Sequence, residues 1–140
     1  MFYSRSLTIR PKTSEANAIE TTIDLSHGVI TQVIFRPRPG HASLLHVRVF
    51  HRRHQIFPDN ADDDLHGDTF PVQWNEWYEM FEKPFTLTIF AWNEDDSYPH
   101  TFDIAFAVLP KWAALPYALA RAFSDLVSLL SPKRIFTRSK

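Results

Sequence analysis

Hydrophobic and polar residues alternate along most of this chain, and a period of two marks strands that bury one face. Residues 3–10 carry Leu7 and Ile9 on one face and stop at Pro11. In residues 19–25, Ile19, Thr21, Ile23 and Leu25 face one way and Glu20, Thr22 and Asp24 the other. Ser26, His27 and Gly28 form a turn into a strand over 29–36, closed by Pro37, Arg38, Pro39 and Gly40. Residues 43–50 set Leu45, Val47 and Val49 against Leu44, His46, Arg48 and Phe50. His51, Arg52, Arg53 and His54 then read as a hairpin tip leading into a strand over 55–57. Beyond a polar loop at 58–68, residues 69–74 and 77–81 are two short extended pieces. Residues 84–92 alternate again through Leu87, Ile89 and Ala91. An acidic loop at 93–99 leads to a last strand over 101–109, with Phe102, Ile104, Phe106 and Val108 on one face and Ala105 and Ala107 on the other.

The period then changes. Trp112, Leu115, Leu119, Ala122, Phe123, Leu126 and Leu130 recur at three and four, as an amphipathic helix requires. Proline is tolerated in a first helical turn, so Pro116 places the regular start near Leu115, and Pro132 ends it. These elements predict an all-β fold, an antiparallel β-sandwich or jelly roll of about seven to nine strands with a C-terminal amphipathic helix. The expected division is a sandwich at 1–110, a helix at 111–131 packed on the sandwich or a partner, and a basic tail at 132–140.

Composition narrows the chemistry. The 140 residues hold no Cys, which removes disulfide scaffolds, thiolate zinc sites and cysteine nucleophiles, and only 3 Gly, which removes glycine-rich phosphate loops. The apolar run at 112–130 is interrupted by Pro116, Arg121 and Asp125, and the first residues lack an apolar run of signal-peptide length. Neither a signal peptide nor a transmembrane helix is therefore expected.

The net charge of -1 is a cancellation. Residues 36–53 hold five Arg and no acid, 59–68 hold five Asp and no Lys or Arg, and 76–96 hold six acids against Lys83 alone. Solvated loops account for such blocks, and so does a basic face of one subunit meeting an acidic face of the next. On the second reading the interface residues are Arg48, Arg52 and Arg53 against Asp62, Asp63, Asp64, Glu94, Asp95 and Asp96. Leu119, Phe123, Leu126 and Leu130 then anchor the helix to its own sheet, a partner or a membrane surface.

Other chemistries fare less well. The acidic loops offer oxygen ligands for Ca²⁺ but match no EF-hand spacing. Seven His show no HxxxH or HExxH pattern, and His51 and His54 point to opposite faces of a hairpin. No catalytic residue, metal or cofactor is expected, no small-molecule substrate is indicated, and the basic segment is no strong nucleic-acid signal. The alternative is a ligand-binding sandwich, for carbohydrate or in a calcium-dependent manner, using Trp74, Trp77, Trp92 and Tyr98 beside the acidic loops.

Two stretches carry a resemblance. Val47-Arg48-Val49-Phe50-His51-Arg52-Arg53-His54-Gln55-Ile56-Phe57-Pro58 is a strand–turn–strand ending in an aromatic and a proline. Ala91-Trp92-Asn93-Glu94-Asp95-Asp96-Ser97-Tyr98-Pro99-His100-Thr101 is an acidic loop running into a closing strand. Together they resemble small single-jelly-roll structural proteins of phage or phage-like particles. The resemblance implies a noncatalytic subunit of a virion or other large assembly, a homo-oligomer or a partner of other structural subunits.

Overall fold

The alternating stretches form eight strands: β1 (Phe2–Ile9), β2 (Ile19–Asp24), β3 (Gly28–Pro37), β4 (Leu45–His51), β5 (His54–Phe57), β6 (Val72–Met80), β7 (Thr86–Asn93) and β8 (His100–Pro110). Helix α1 (Lys111–Leu130) follows without a loop. This is a computed structural model, and it describes residues 1–130. The side chains of Leu115 and Leu130, and the basic tail with Pro132, lie outside the described residues.

The strands pair from the ends inward. β1 pairs with β8, β2 with β7, β3 with β6 and β4 with β5, all antiparallel. The chain is thus one long hairpin rolled up until β3 also meets β8 and β4 also meets β7. Two four-stranded sheets result, ordered β1-β8-β3-β6 and β2-β7-β4-β5, which is the jelly-roll topology. The expected fold class is the one observed.

The core is what the alternation marks. Leu45, Val47 and Val49 of β4, Leu87, Ile89 and Ala91 of β7, and Phe102, Ile104, Phe106 and Val108 of β8 are all buried between the sheets. At the start of β3 the backbone of β8 comes so close that a side chain on Gly28 would collide with the Leu109 carbonyl. Only glycine fits where β8 hands over to the helix.

Two boundaries differ from expectation. The pieces at 69–74 and 77–81 are a single strand, β6. Alternation fails there because half-buried Glu76 interrupts the apolar positions, its carboxylate accepting hydrogen bonds from Trp74 Nε1 at 3.3 Å and Trp77 N at 2.9 Å. The strand also starts late, since Thr69 has a φ of 69°, outside the extended region. The helix begins at Lys111, the start of the expected 111–131 segment but four residues before the regular start expected near Leu115, so Pro116 sits beyond its first turn and leaves the Trp112 carbonyl without its usual N–H partner. The early start brings Ala114 against the sandwich, where it is buried.

Candidate functional site

One backbone bridge builds the main polar cluster. After β5 the chain returns at Leu65 alongside β4, and Val47 and Leu65 exchange both hydrogen bonds, at 2.9 and 2.8 Å. Val47 is buried in the core and half-buried Leu65 packs against it, so their neighbours on either side turn the other way. That places Asp64 and His66 of the acidic loop beside Arg48 and His46 of β4. Across the sheet, Trp92 of β7 stands opposite His46 in register.

The rings stack. The His46 imidazole lies 5.0 Å from the Trp92 ring with 10° between planes, and the Arg48 guanidinium sits 4.8 Å over the same indole. Trp92 is consequently buried, at 2% exposure. His46 Nδ1 and His66 Nδ1 approach one atom, Asp64 Oδ1, at 2.8 and 2.9 Å. On its far side His46 Nε2 faces Glu94 Oε2 at 3.9 Å.

Arg48 is held by its own chain. It donates from Nε to the Asp63 carbonyl at 3.0 Å, from Nη2 to the Asp62 carbonyl at 2.8 Å, and from Nη1 to the Glu15 carboxylate. The contact of Arg48 with the acidic loop, expected between subunits, is made within one chain. The guanidinium thereby engages two carbonyl oxygens of the acidic loop.

A second cluster lies just beyond the start of β4, where Leu45 pairs with Asn93. His100 Nε2 and Asp95 Oδ2 are 2.9 Å apart, and Asp95 Oδ1 accepts from the backbone N–H of Ser97 at 2.6 Å and of Tyr98 at 3.0 Å. Those backbone hydrogen bonds hold the Asp95 carboxyl below its ordinary range. Asp95 therefore organises its loop instead of presenting a free charge. The buried His41 ring packs 4.7 Å from His100, and burial, then the neighbouring imidazole, lowers its pKa.

No family model matches this chain, and no curated protein matches it either. Its chemistry must be read from the residues themselves.

The remaining expected site residues are dispersed. Arg52 and Arg53 sit at the exposed tip between β4 and β5, where Arg52 donates to the Lys83 carbonyl at 2.8 Å and lies 3.6 Å from Glu82. A cleft of about 600 Å³ runs under this tip, lined in part by His51, His54, Tyr78 and Glu79. Its deepest imidazole is engaged: His51 Nδ1 meets the Tyr78 hydroxyl and Nε2 the Pro84 carbonyl, both at 2.8 Å. Asp62, Asp63, Glu94 and Asp96 are exposed. The four aromatics proposed as a ligand platform are spread out, Trp74 and Trp77 on β6, Trp92 on β7 and Tyr98 in the loop before β8. Trp74 is half-buried, edge-on to Phe57 at 5.7 Å, Trp77 donates from Nε1 to Glu79, Trp92 is covered by His46 and Arg48, and Tyr98 is exposed.

Leu119, Phe123 and Leu126 lie on a helix that leaves the sandwich. Among the described helix side chains Ala114 alone is buried, while Leu119 is 59% exposed and Phe123 65%. The helix does not cover the Ala105 face of β8, which instead lines an open groove with Phe2, Ser4, Ile34 and Arg36. No helix among the described residues is long and apolar enough to cross a membrane.

The cluster of His46, Asp64 and His66 was not singled out by spacing. Its signal in the sequence is that His-Val-Arg at 46–48 and Asp-Leu-His at 64–66 each centre on one inward-facing aliphatic, buried Val47 and half-buried Leu65.

Proposed function

We propose that this chain is a noncatalytic structural subunit that assembles through its C-terminal helix, in a phage-like particle or a comparable large assembly. The exposed apolar stripe on α1 carries the reading. Trp112, Leu119, Phe123 and Leu126 are all exposed. Burying one such side chain contributes roughly 1.5–3 kcal/mol, so a stripe of four left in water is a poor end state. Jelly-roll topology fits the proposal but does not carry it, because capsid subunits share it with lectins and cupins. The resemblance of residues 47–58 and 91–101 to phage structural proteins supplies the choice of particle. Exposed Arg52 and Arg53 on one loop, and Glu94 and Asp96 on another, would orient the contact. The carbohydrate alternative has less to rest on, since Trp92 offers no open ring face.

Sedimentation velocity of the full chain over the micromolar range tests this. The expected result is concentration-dependent association that Leu119→Asp with Phe123→Asp abolishes. A strict monomer throughout, with no partner accompanying the protein from its native source, would overturn it.

A further inference from the structure

We propose that His46, Asp64 and His66 form a binding site for a first-row divalent metal ion, best suited to zinc, which staples the acidic loop to β4. The inference stands apart from the assembly reading and uses none of its residues on α1.

Three observations carry it. First, two imidazole nitrogens of the same type, His46 Nδ1 and His66 Nδ1, converge on a single carboxylate oxygen of Asp64 at 2.8 and 2.9 Å. All three ligand atoms lie within 4.8 Å of one another. Around a zinc ion with bonds near 2.0–2.1 Å, tetrahedral ligand atoms sit about 3.3 Å apart, so modest adjustment admits the ion. Half-exposed His66 is on the loop side and free to make that adjustment, and its exposure leaves a fourth position for water.

Second, the strand-borne ligand is pre-oriented. Trp92 fixes the plane of His46 by stacking, and the Val47–Leu65 bridge fixes the two backbones that carry the ligands. Third, an outer partner stands within a small side-chain rotation of hydrogen-bond distance. A metal-bound imidazole ordinarily turns its other nitrogen to a carboxylate, and His46 Nε2 faces Glu94 Oε2 at 3.9 Å. Arg48 does not spoil the field, because Glu15 and the two loop carbonyls engage its guanidinium. Two nitrogens and one oxygen select zinc, cobalt or nickel over calcium and magnesium, which take oxygen ligands.

Calorimetric titration of Zn²⁺ into untagged, chelator-treated full chain tests the proposal, together with long-range ¹H–¹⁵N spectra of the imidazoles. Saturable binding of one ion per chain is expected, with the Nδ1 resonances of His46 and His66 shifting. His66→Ala, at an exposed position, should keep the fold and lose the binding. Glu94→Gln should weaken it about ten- to a hundredfold. His54→Ala, at the hairpin tip, should leave it unchanged. Absence of saturable one-to-one binding, equal binding by His66→Ala, or shifts confined to other histidines would each overturn the site.

Discussion

Val47 and Leu65 exchange both backbone hydrogen bonds across the whole acidic loop, and this one bridge sets where His46, Arg48, Asp64 and His66 point. Leu65→Pro removes the N–H that reaches the Val47 carbonyl at 2.8 Å. An unpaired strand carbonyl costs about 1–3 kcal/mol, and urea denaturation should read a loss of that order. Cleavage by a nonspecific protease within residues 58–66 should rise in parallel. Unchanged protection of the loop would mean that the side-chain contacts of Arg48 hold it without the bridge.

Arg48 gives a second prediction. Its side chain is only 12% exposed, and the guanidinium ties the 3-10 turn at Glu15–Asn17, the acidic loop and Trp92 together. Arg48→Ala should cost about 1.5–3 kcal/mol, the range for hydrogen bonds to a charged group. Arg48→Lys should recover only part of this, since an ammonium cannot fork to two carbonyls while lying flat on an indole. If Arg48 instead served chiefly to contact a neighbouring subunit, the alanine variant would lose association and keep the monomer's stability.

The β-sandwich was legible in the sequence because Leu45, Val47, Val49, Leu87, Ile89 and Ala91 alternate strictly, and each proved buried. The jelly-roll order was legible only as a class, since pairing partners such as Phe2 and Ala107 are joined by no local signal. β6 was split because Glu76 interrupts its apolar positions, and the paired register shifts nearby between Ile30 and Gln32. The polar cluster is hidden from spacing for a different reason. Its ligand atoms come from one regular strand and one loop, and only the three-dimensional return at Leu65 makes Asp64 and His66 neighbours of His46. Spacing rules written for a single helix or loop do not see such a pair.

His41 makes stability depend on pH. Burial and the adjacent His100 ring lower its pKa from 6.5, while Asp68 accepts from the Gly40 and His41 backbone N–H groups and Asp95 holds His100. The folded chain thus binds fewer protons at His41 than the unfolded chain. The stability contributed by neutral His41 is fully present above pH 6.5 and is lost as pH falls from there through the lowered value. Asp95 and Asp68, both held below 3.8, add a separate loss confined to more acid solution. Urea midpoints measured against pH should decline from neutral pH downward, and His41→Leu should flatten that decline while leaving the acid limb. A midpoint independent of pH between neutrality and the carboxylate range would show that His41 is not the controlling group.

The pair of His51 and Tyr78 tests the cleft under the hairpin tip. Pro84 offers only a carbonyl, so His51 must donate from Nε2, and in that tautomer of the imidazole Nδ1 is the acceptor for the Tyr78 hydroxyl. Burial raises the Tyr78 pKa, in keeping with a hydroxyl that stays protonated and donates. Tyr78→Phe strands the buried Nδ1 and should cost about 1–3 kcal/mol in denaturant unfolding. His51→Leu combined with Tyr78→Phe removes both polar partners and should cost less than the sum of the single changes, the sign of a shared hydrogen bond. Additive losses would show that the two side chains contribute separately, through packing.

The helix separates stability from association. Ala114 is buried where α1 leaves β8, whereas Leu119 and Phe123 touch solvent. Ala114→Leu overpacks that junction and should cost about 1–3 kcal/mol. Leu119→Asp and Phe123→Asp sit on an exposed face, where substitutions ordinarily change stability by less than about 0.5 kcal/mol. If the helix anchors an assembly, the two aspartate variants will sediment as monomers with an unchanged urea midpoint at dilute concentration, while Ala114→Leu lowers the midpoint. The reverse pattern, with a large stability loss at Leu119 and Phe123 in dilute monomer, would show that the stripe packs on its own sandwich in solution.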